Sequence, residues 1–206
     1  PILIGRPGVI TTRLKRFGLK IRPGTDFELI NPEDDPRYRD YVDLLLDKAG
    51  RRGVTPDAAR TIVRTSTTAI AALAVERGEA DAMLCGLEGQ FQNHFRTIRE
   101  IIGLKPDNRR FAAMSLLISS ESTIFLTDTY VNVDPSAEEI AELTCLAADQ
   151  VRRFGIVPKA ALLSHSNFGS HDTPSSRKMR DAVELLWQRA PELEGDGEMH
   201  GDSALS

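Results

Sequence analysis

The stretch Ala160-Ala161-Leu162-Leu163-Ser164-His165-Ser166-Asn167-Phe168-Gly169-Ser170 decides the fold class of this chain. Its first four residues form an apolar run, which is typical of a buried strand, and the next seven form a mainly polar loop. Helical spacing then follows in Met179, Val183 and Leu186. A buried strand that leads through a loop into a helix is the repeating unit of an α/β fold with a largely parallel sheet.

The rest of the chain alternates in the same way between short apolar runs and helical patterns. Further strands are predicted in a run that ends near Ile21 and at residues 2–5, 82–85, 113–118 and 123–126. Further helices are predicted to begin at Tyr38 and to span residues 55–78, 93–102 and 134–155. The charged loop 105–110 interrupts this pattern, so we predict a first α/β lobe of residues 1–110 and a second lobe of residues 111–206.

The predicted helix 55–78 carries the clearest local signals. Thr55 can cap its N-terminus, and Pro56 suits the first helical position because its missing N–H costs nothing there. Apolar and small residues then recur along one stripe at Ala59, Ile62, Val63, Ser66, Ile70, Leu73 and Ala74. We therefore predict one continuous helix that ends at Gly78, and Asp134-Pro135 begins another helix in the same manner.

Composition excludes several classes of function. The 206 residues are 41% hydrophobic and 27% charged, and 26 basic side chains face 30 acidic ones, for a net charge of −4. A nucleic acid or an anionic membrane would need a basic excess in its partner. Cys85 and Cys145 lie far apart, so we predict two buried thiols rather than a disulfide, in a reducing cytoplasm. No apolar run is long enough to span a bilayer.

The loop 164–170 is the most suggestive candidate for a binding site. Ligands of open α/β sheets bind beyond the carboxyl ends of strands, where this loop is predicted to lie. It offers three hydroxyls, the Asn167 amide and a conformationally permissive Gly169. Side chains and backbone N–H groups of such a loop can hold a phosphate or a pantetheine carbonyl. The alternative is a polar connector whose hydroxyls bond only to the loop itself.

Two other places could contribute to a site. Arg96 and Arg99 share one face of the predicted helix 93–102, which follows the glycine-bearing turn 85–90. A cationic face of this kind could clamp a phosphate, although such arginines are more often simply solvated. Asp128-Thr129 follows another predicted strand, again at its carboxyl end.

Other chemistries find little support in the sequence. The four histidines show no zinc-binding spacing, and no GxSxG elbow of a serine hydrolase is present. An acidic cluster near the end could suggest a metal site, but we interpret it as a solvated segment: Glu192, Glu194, Asp196, Glu198 and Asp202. The residues alone therefore indicate a cytosolic α/β protein with a cleft suited to an anionic ligand.

Several stretches resemble the phosphate acetyltransferase family in order and spacing. They are Gly78-Glu79-Ala80-Asp81-Ala82 with Cys85-Gly86, Arg96 with Ile101-Ile102, Phe125-Leu126-Thr127-Asp128, Pro158-Lys159-Ala160 running into Leu163-Ser164-His165-Ser166 and Gly169-Ser170, and Asp196-Gly197-Glu198 with Asp202. The resemblance implies a two-lobe phosphotransacetylase-type α/β fold, comparable to isocitrate and isopropylmalate dehydrogenases. Because the chain begins directly in a strand and ends without a terminating signal, we expect the fold to be incomplete at both ends.

Within this resemblance, the chain more closely resembles the C-terminal domain of hybrid NADP-dependent malic enzymes. The runs that carry this resemblance are Phe27-Glu28-Leu29-Ile30-Asn31-Pro32, Tyr38-Arg39-Asp40-Tyr41, Arg52-Gly53-Val54-Thr55-Pro56-Asp57, Val131-Asn132-Val133-Asp134-Pro135, residues 164–170, and Gly197-Glu198-Met199-His200-Gly201-Asp202. It implies a separate N-terminal part that decarboxylates malate with NADP and Mg²⁺ or Mn²⁺. It also implies acetyl-CoA or CoA as the ligand of this domain, and a dimer formed through it within a larger assembly.

The resemblance also implies which residues bind the ligand and which are missing. The implied contacts for acetyl-CoA or phosphate are Arg96, Asp128, Thr129, Ser164, His165, Ser166, Asn167, Gly169 and Ser170. Ala49 and Phe168 stand where active family members carry an arginine and a lysine, and a C-terminal Ser-Arg pair and carboxylate are not in the chain. Losing one charged hydrogen bond costs about 3–4 kcal/mol of transition-state stabilisation, whereas the dispersed contacts to a long cofactor can survive.

Three interpretations therefore stand at this stage. The leading one is a non-catalytic regulatory domain that binds acetyl-CoA and inhibits the malic enzyme. The second is an active phosphate acetyltransferase, and the third is a purely structural oligomerisation domain.

Overall fold

The computed structural model describes residues 1–106, 108–120 and 122–205, and its contacts divide the chain into two compact units. Unit 1 is Pro1–Asn108 and unit 2 is Arg109–Ser206. We predicted the lobe boundary in loop 105–110, and Asp107 of this loop lies outside the described residues. Each unit combines helices and strands around a hydrophobic core of its own.

Unit 1 is mainly helical, with one short pair of strands. Its elements are β1 (Ile2–Ile4), α1 (Pro7–Arg16), β2 (Glu28–Ile30), α2 (Tyr38–Ala49), a 3-10 turn (Gly50–Arg52), α3 (Pro56–Thr65), α4 (Thr67–Glu76) and α5 (Phe91–Ile101). β1 and β2 are parallel, with Leu3 opposite Leu29. Since α4 is apolar on all sides, it lies in the middle of the core, where Ile70 and Leu73 are almost fully buried.

The predicted helix 55–78 is in fact two helices, which meet at Ser66. Ser66 leaves the helical conformation (φ −107°, ψ 100°), and its N–H closes α3 on the Ile62 carbonyl at 2.8 Å. Its hydroxyl oxygen then accepts a hydrogen bond from the Ala69 N–H at 3.2 Å and caps α4. The apolar spacing alone concealed this break, because Ser66 continues the stripe. The capping preference of serine was the signal for it.

The strands predicted near Ile21 and at residues 82–85 do not form in the described part of unit 1. The strand that pairs with β1 is β2, which begins at Glu28, several residues after the predicted run that ends near Ile21. Residues 82–85 have no strand neighbour, and Leu84 is fully exposed while Met83 packs against the core. An apolar run becomes a strand only where a neighbouring backbone supplies hydrogen bonds, and the sequence of one run cannot report that.

A network of ion pairs ties three parts of unit 1 together. The guanidinium of Arg37 binds both carboxylate oxygens of Asp35, at 2.9 and 3.0 Å, and reaches Glu28 on β2 at 2.7 Å. The Tyr41 hydroxyl donates to Glu79, just beyond α4, at 2.5 Å. Burial and this hydrogen bond raise the pKa of Tyr41, so the phenol stays protonated. The network therefore braces β2 and α2 against the end of α4.

Unit 2 contains two more pairs of strands and two long helices. Its elements are β3 (Met114–Ile118), β4 (Thr123–Thr127), α6 (Ala137–Arg153), β5 (Lys159–Leu163), α7 (Pro174–Arg189), β6 (Glu194–Met199) and a 3-10 turn (Ser203–Leu205). β5 and β6 are parallel, as expected, but β3 and β4 are antiparallel. The expected largely parallel sheet is therefore wrong for this pair, because a connection as short as 119–122 can only join antiparallel strands.

The core of unit 2 lies between α6, α7 and β5, where Ala141, Leu162, Val183 and Leu186 are buried. The N-cap of α6 lies two residues later than predicted. This cap is Ser136, in a reciprocal capping box with Glu139 rather than at Asp134-Pro135.

Candidate functional site

The loop 164–170 is fixed on the end of β6 by backbone hydrogen bonds. β5 and β6 run parallel, so their carboxyl ends meet at one edge. The Ser164 N–H donates to the Met199 carbonyl at 2.9 Å, and the Phe168 N–H donates to the Glu198 carbonyl at 2.8 Å. The loop therefore lies at the carboxyl edge of these two strands, where the sequence predicted it.

Glu198 lies beneath this loop and is fully buried. Its Oε1 accepts three hydrogen bonds, from the Ser166 hydroxyl at 2.7 Å, the Gly169 N–H at 2.8 Å and the Arg180 Nη1 at 3.1 Å. Its Oε2 has no partner among the described residues. Burial raises the pKa of this carboxyl, but the Gly169 and Ser166 hydrogen bonds and the Arg180 charge outweigh burial and lower it. The carboxylate is therefore ionised at neutral pH.

Sequence reasoning missed Glu198 and placed it in a solvated acidic segment. That interpretation is wrong for this residue, because the segment forms β6 and the side chain points into unit 2. The signal that could have found it is its position between Gly197 and Met199, in a run that also carries the family resemblance.

The polar groups of the loop bond mainly to one another. The Ser166 hydroxyl accepts from the His171 N–H at 3.0 Å, and the Ser170 hydroxyl accepts from the Asn167 N–H at 2.9 Å. The Ser166 N–H donates to the Ser164 hydroxyl at 3.2 Å, and the Ser170 N–H donates to the Asn167 carbonyl at 2.9 Å. Together with the bonds to β6, these use the backbone N–H groups of residue 164 and residues 166–171. Every backbone N–H of the loop except that of His165 is therefore bonded in this conformation, and binding of a phosphate or a pantetheine carbonyl by the loop stays a prediction.

The Asn167 side chain joins the loop to the chain that follows β6. Its Oδ1 accepts from the His200 N–H at 2.6 Å, and its Nδ2 donates to the Ser203 hydroxyl at 3.2 Å. His200 in turn donates its Nε2–H to the His165 carbonyl at 3.0 Å. Through these contacts residues 164–170 and 198–203 form one hydrogen-bonded group.

Phe168 and Gly169 form a left-handed turn at the tip of the loop. Gly169 has a φ of 85°, which explains the glycine there, and Phe168 has a φ of 44°. A left-handed non-glycine residue costs roughly 1–2 kcal/mol. The turn persists because Glu198 accepts the N–H of both residues. It leaves the Phe168 side chain 61% exposed.

The three cations at the start of α7 are each paired with a carboxylate. Arg177 donates to Asp172 at 2.7 Å, and Arg180 bridges Asp172 at 2.9 Å and Glu198. The Arg177 hydrogen bond, followed by that of Arg180, lowers the pKa of Asp172 to about 2. Lys178 pairs with Asp134. Each of the three positive charges at the start of α7 is therefore balanced by a carboxylate.

Asp128 and Thr129, two other predicted site residues, belong to a separate hydrogen-bond group. Asp128 accepts from the Ala113 N–H at 2.8 Å and from the Asn132 N–H at 2.7 Å, so both oxygens join the start of β3 to the loop after β4. Thr129 contacts the Ser115 hydroxyl at 3.1 Å. In this geometry Asp128 acts as a brace, and its contact with a ligand stays a prediction.

Arg96 belongs to unit 1, whereas the other predicted site residues belong to unit 2. It is exposed on α5. The turn before α5 is fixed by His94, which contacts the Thr68 hydroxyl at 2.8 Å and the Glu88 carbonyl at 2.7 Å. Since a carbonyl can only accept, Nε2 of His94 carries the proton. Cys85 in this turn is exposed, so the predicted burial of both thiols is wrong; Cys145 is half-buried.

The described residues hold no group of three or more histidines, cysteines or carboxylates placed to share a metal ion. In the same parts of the chain, no helix is long and apolar enough to cross a membrane.

The chain belongs to the phosphate acetyl/butaryl transferase family, whose sequence model matches residues 1–206. Two solved structures of phosphotransacetylases superpose on it. The EutD phosphotransacetylase from Staphylococcus aureus gives a TM-score of 0.81 at 25% identity over 99% of this chain and 62% of that one. A phosphotransacetylase from Streptococcus pyogenes gives 0.81 at 26% identity over 100% and 63%. The predicted phosphotransacetylase-type α/β fold is thereby confirmed, while the comparison with isocitrate and isopropylmalate dehydrogenases stays a prediction.

Within this family the chain is similar to a region of malic enzymes. It is 62% identical over 206 residues to the NAD-dependent malic enzyme of Rhizobium meliloti (strain 1021), and 51% identical over 205 residues to the NADP-dependent malic enzyme of Escherichia coli (strain K12). It is 28% identical to the phosphate acetyltransferase of Haemophilus influenzae, over 99% of this chain and 28% of that protein. Each malic enzyme match covers 100% of this chain but 27% of the relative. The predicted resemblance to the phosphotransacetylase-like domain of malic enzymes is confirmed.

Proposed function

We propose that this chain is the regulatory domain of a malic enzyme and that it binds acetyl-CoA. In this proposal the oxidative decarboxylation of malate to pyruvate belongs to a part of the protein outside the chain. That part would also hold the nicotinamide cofactor and the Mg²⁺ or Mn²⁺ ion. One relative is named as NAD-dependent and the other as NADP-dependent. We propose NADP as the cofactor of the malic enzyme part, and malate turnover with each nicotinamide cofactor would test this.

The observation that carries the proposal is a phosphotransacetylase-type fold on a chain that matches malic enzymes over its whole length. Two features support binding without turnover. Ala49, where active family members are expected to carry an arginine, is 2% exposed in the core at the end of α2. The N–H groups of loop 164–170 other than that of His165, and the three cations at the start of α7, are already bonded. A site of this kind can hold a cofactor but lacks a free clamp for a transferring phosphoryl group.

The full-length malic enzyme offers the test. Calorimetry should detect acetyl-CoA binding, and malate turnover should fall as acetyl-CoA is added, because binding to one of two conformations shifts their populations. The proposal would be rejected if calorimetry detected no binding at millimolar acetyl-CoA and the rate of malate turnover did not change when acetyl-CoA was added.

A second candidate is an active phosphate acetyltransferase, which the exposed Arg96 on α5 favours. This function predicts CoA-dependent consumption of acetyl phosphate by the full-length protein. It also predicts that Arg96→Ala reduces that rate by about 10²–10³-fold, as expected for loss of one transition-state contact. Arg16→Ala, at an exposed arginine on α1 of the same unit, is the matched control.

The domain is also proposed to form a homo-oligomer in the cytoplasm, as a dimer within a larger assembly, with its two units as the lobes of the fold. A purely structural role remains the third candidate. Deleting the domain would then break the assembly without changing the response of the remaining enzyme to acetyl-CoA, which size-exclusion chromatography and turnover assays would show.

A further inference from the structure

The surroundings of loop 164–170 are poorly suited to a phosphate. Every backbone N–H of the loop except that of His165 is seen to donate to an acceptor within unit 2. An anion would therefore have to compete with hydrogen bonds that hold the loop together. Arg177, Lys178 and Arg180, the nearby cations of α7, are each paired with a carboxylate. Apart from the His165 N–H, the backbone donors of the loop and these three cations are therefore already engaged within the described part of unit 2.

The buried charge beneath the loop adds to this effect. Glu198 is ionised, and its Oε2 has no hydrogen-bond partner among the described residues. Its charge is shared with Arg180, but Arg180 is also bound to Asp172. Arg177, Lys178 and Arg180 are matched by three carboxylates, Asp172, Asp134 and Glu198, so this ion-pair group has no excess positive charge that would attract an anion to the loop. The loop therefore favours an uncharged ligand.

The tip of the loop presents an apolar contact instead. Phe168 is held in the left-handed region while its ring stays 61% exposed. An exposed aromatic side chain gains nothing from folding, and a strained backbone persists only where its surroundings impose it. Here Glu198 imposes it, through its carbonyl to the Phe168 N–H and its carboxylate to the Gly169 N–H. The loop thus presents an exposed aromatic ring, and it also carries the half-buried Ser164 and the exposed Ser170.

We infer that this loop binds the uncharged pantetheine arm of a CoA thioester, not its phosphates, with Phe168 as the principal contact. This inference rests on the proposed function and identifies the part of the ligand that the loop recognises. A pantetheine arm carries two amides and an apolar dimethyl segment. Hydroxyls can bond the amides, and the ring can cover the apolar segment. Binding of the phosphates is left to other parts of the protein.

The experiment compares ligand fragments on the full-length malic enzyme. Titration calorimetry would measure acetyl-CoA, S-acetylpantetheine, which lacks the nucleotide, and adenosine 3′,5′-bisphosphate, which lacks the arm. Phe168→Ala should weaken acetyl-CoA and S-acetylpantetheine by on the order of tenfold, the loss expected for one buried aromatic contact. It should leave adenosine 3′,5′-bisphosphate unchanged.

Phe154→Ala is the matched control, because Phe154 is a second aromatic residue of unit 2 with a similar exposure of 60%. It should change none of the three affinities. Phe168→Gly relieves the left-handed strain while removing the ring. It should therefore raise Tm but weaken S-acetylpantetheine as much as Phe168→Ala does, which separates recognition from folding.

Several results would overturn the inference. Equal acetyl-CoA affinity in the Phe168→Ala and Phe154→Ala variants would remove Phe168 from the site. A loss confined to adenosine 3′,5′-bisphosphate would assign the loop to the phosphates. Both results leave acetyl-CoA binding itself intact, so the proposed function would survive them. No acetyl-CoA binding by the unaltered enzyme would instead reject the proposed function, and this inference with it.

Discussion

At the scale of single residues, Glu198 determines the shape of the candidate site. Replacing it with glutamine keeps its volume but removes the charge that three donors share. Hydrogen bonds to a charged group are worth about 1.5–3 kcal/mol, so we expect Glu198→Gln to lower the free energy of unfolding by about that amount. Denaturant unfolding would measure this change, and hydrogen exchange at Phe168 and Gly169 should accelerate.

The control for Glu198→Gln is Glu194→Gln in the same strand. Glu194 is exposed and pairs with the equally exposed Lys159, so its loss should cost less than about 0.5 kcal/mol. If the two variants unfold alike, Glu198 does not organise the loop.

Residue types predicted the position of loop 164–170 better than its hydrogen bonds. The loop 164–170 and the freedom needed at Gly169 follow from an apolar run, a polar run and a glycine. Whether an N–H is free or bonded depends on partners such as Glu198 and Met199, which lie about thirty positions further along the chain. Local pattern contains no information on those pairings, so the hydrogen bonds that occupy the loop could not be predicted, and its contact with a ligand stays a prediction.

At the scale of elements, helices were predicted well and strand pairing poorly. α2 and α5 begin within two residues of their predicted starts, and α7 contains the predicted spacing Met179, Val183 and Leu186, because apolar spacing is a local signal. The strand predicted at residues 82–85 does not form, because no neighbouring strand among the described residues pairs with it. The break at Ser66 was not predicted, because the apolar stripe continues through Ser66 and fits one long helix as well as two short ones.

The cap at Ser66 can be tested directly. Ser66→Ala removes the hydroxyl that accepts the Ala69 N–H at the start of the buried helix α4. Loss of an N-cap costs about 1 kcal/mol, so we expect the midpoint of denaturant unfolding to fall accordingly. Thr67→Ala, at the exposed first residue of the same helix, should stay within about 0.5 kcal/mol of the unaltered protein. An equal effect of both substitutions would show that the hydroxyl of Ser66 is not the cap.

At the scale of the whole molecule, stability should depend on acid-sensitive ion pairs in both units. The pKa values of Asp35 and Glu79 in unit 1 and of Asp172 and Glu198 in unit 2 are lowered by arginine or hydroxyl partners, against the opposing effect of burial. A carboxyl whose pKa is lower in the folded state than in the unfolded state stabilises the fold above its unfolded pKa. That stabilisation is lost as the pH falls through the folded pKa.

The unfolded pKa values lie near 4, and that of folded Asp172 is about 2. We therefore expect the Tm to be nearly constant from pH 7 to about pH 5 and to fall steeply between about pH 4 and pH 2. The fall follows from protonation of carboxylates in both units, so Asp172→Asn should lower the Tm at pH 6 but converge with the unaltered protein near pH 2. Thermal unfolding across this range would measure both curves. A constant difference between them down to pH 2 would mean that Asp172 acts through its shape and not through its charge.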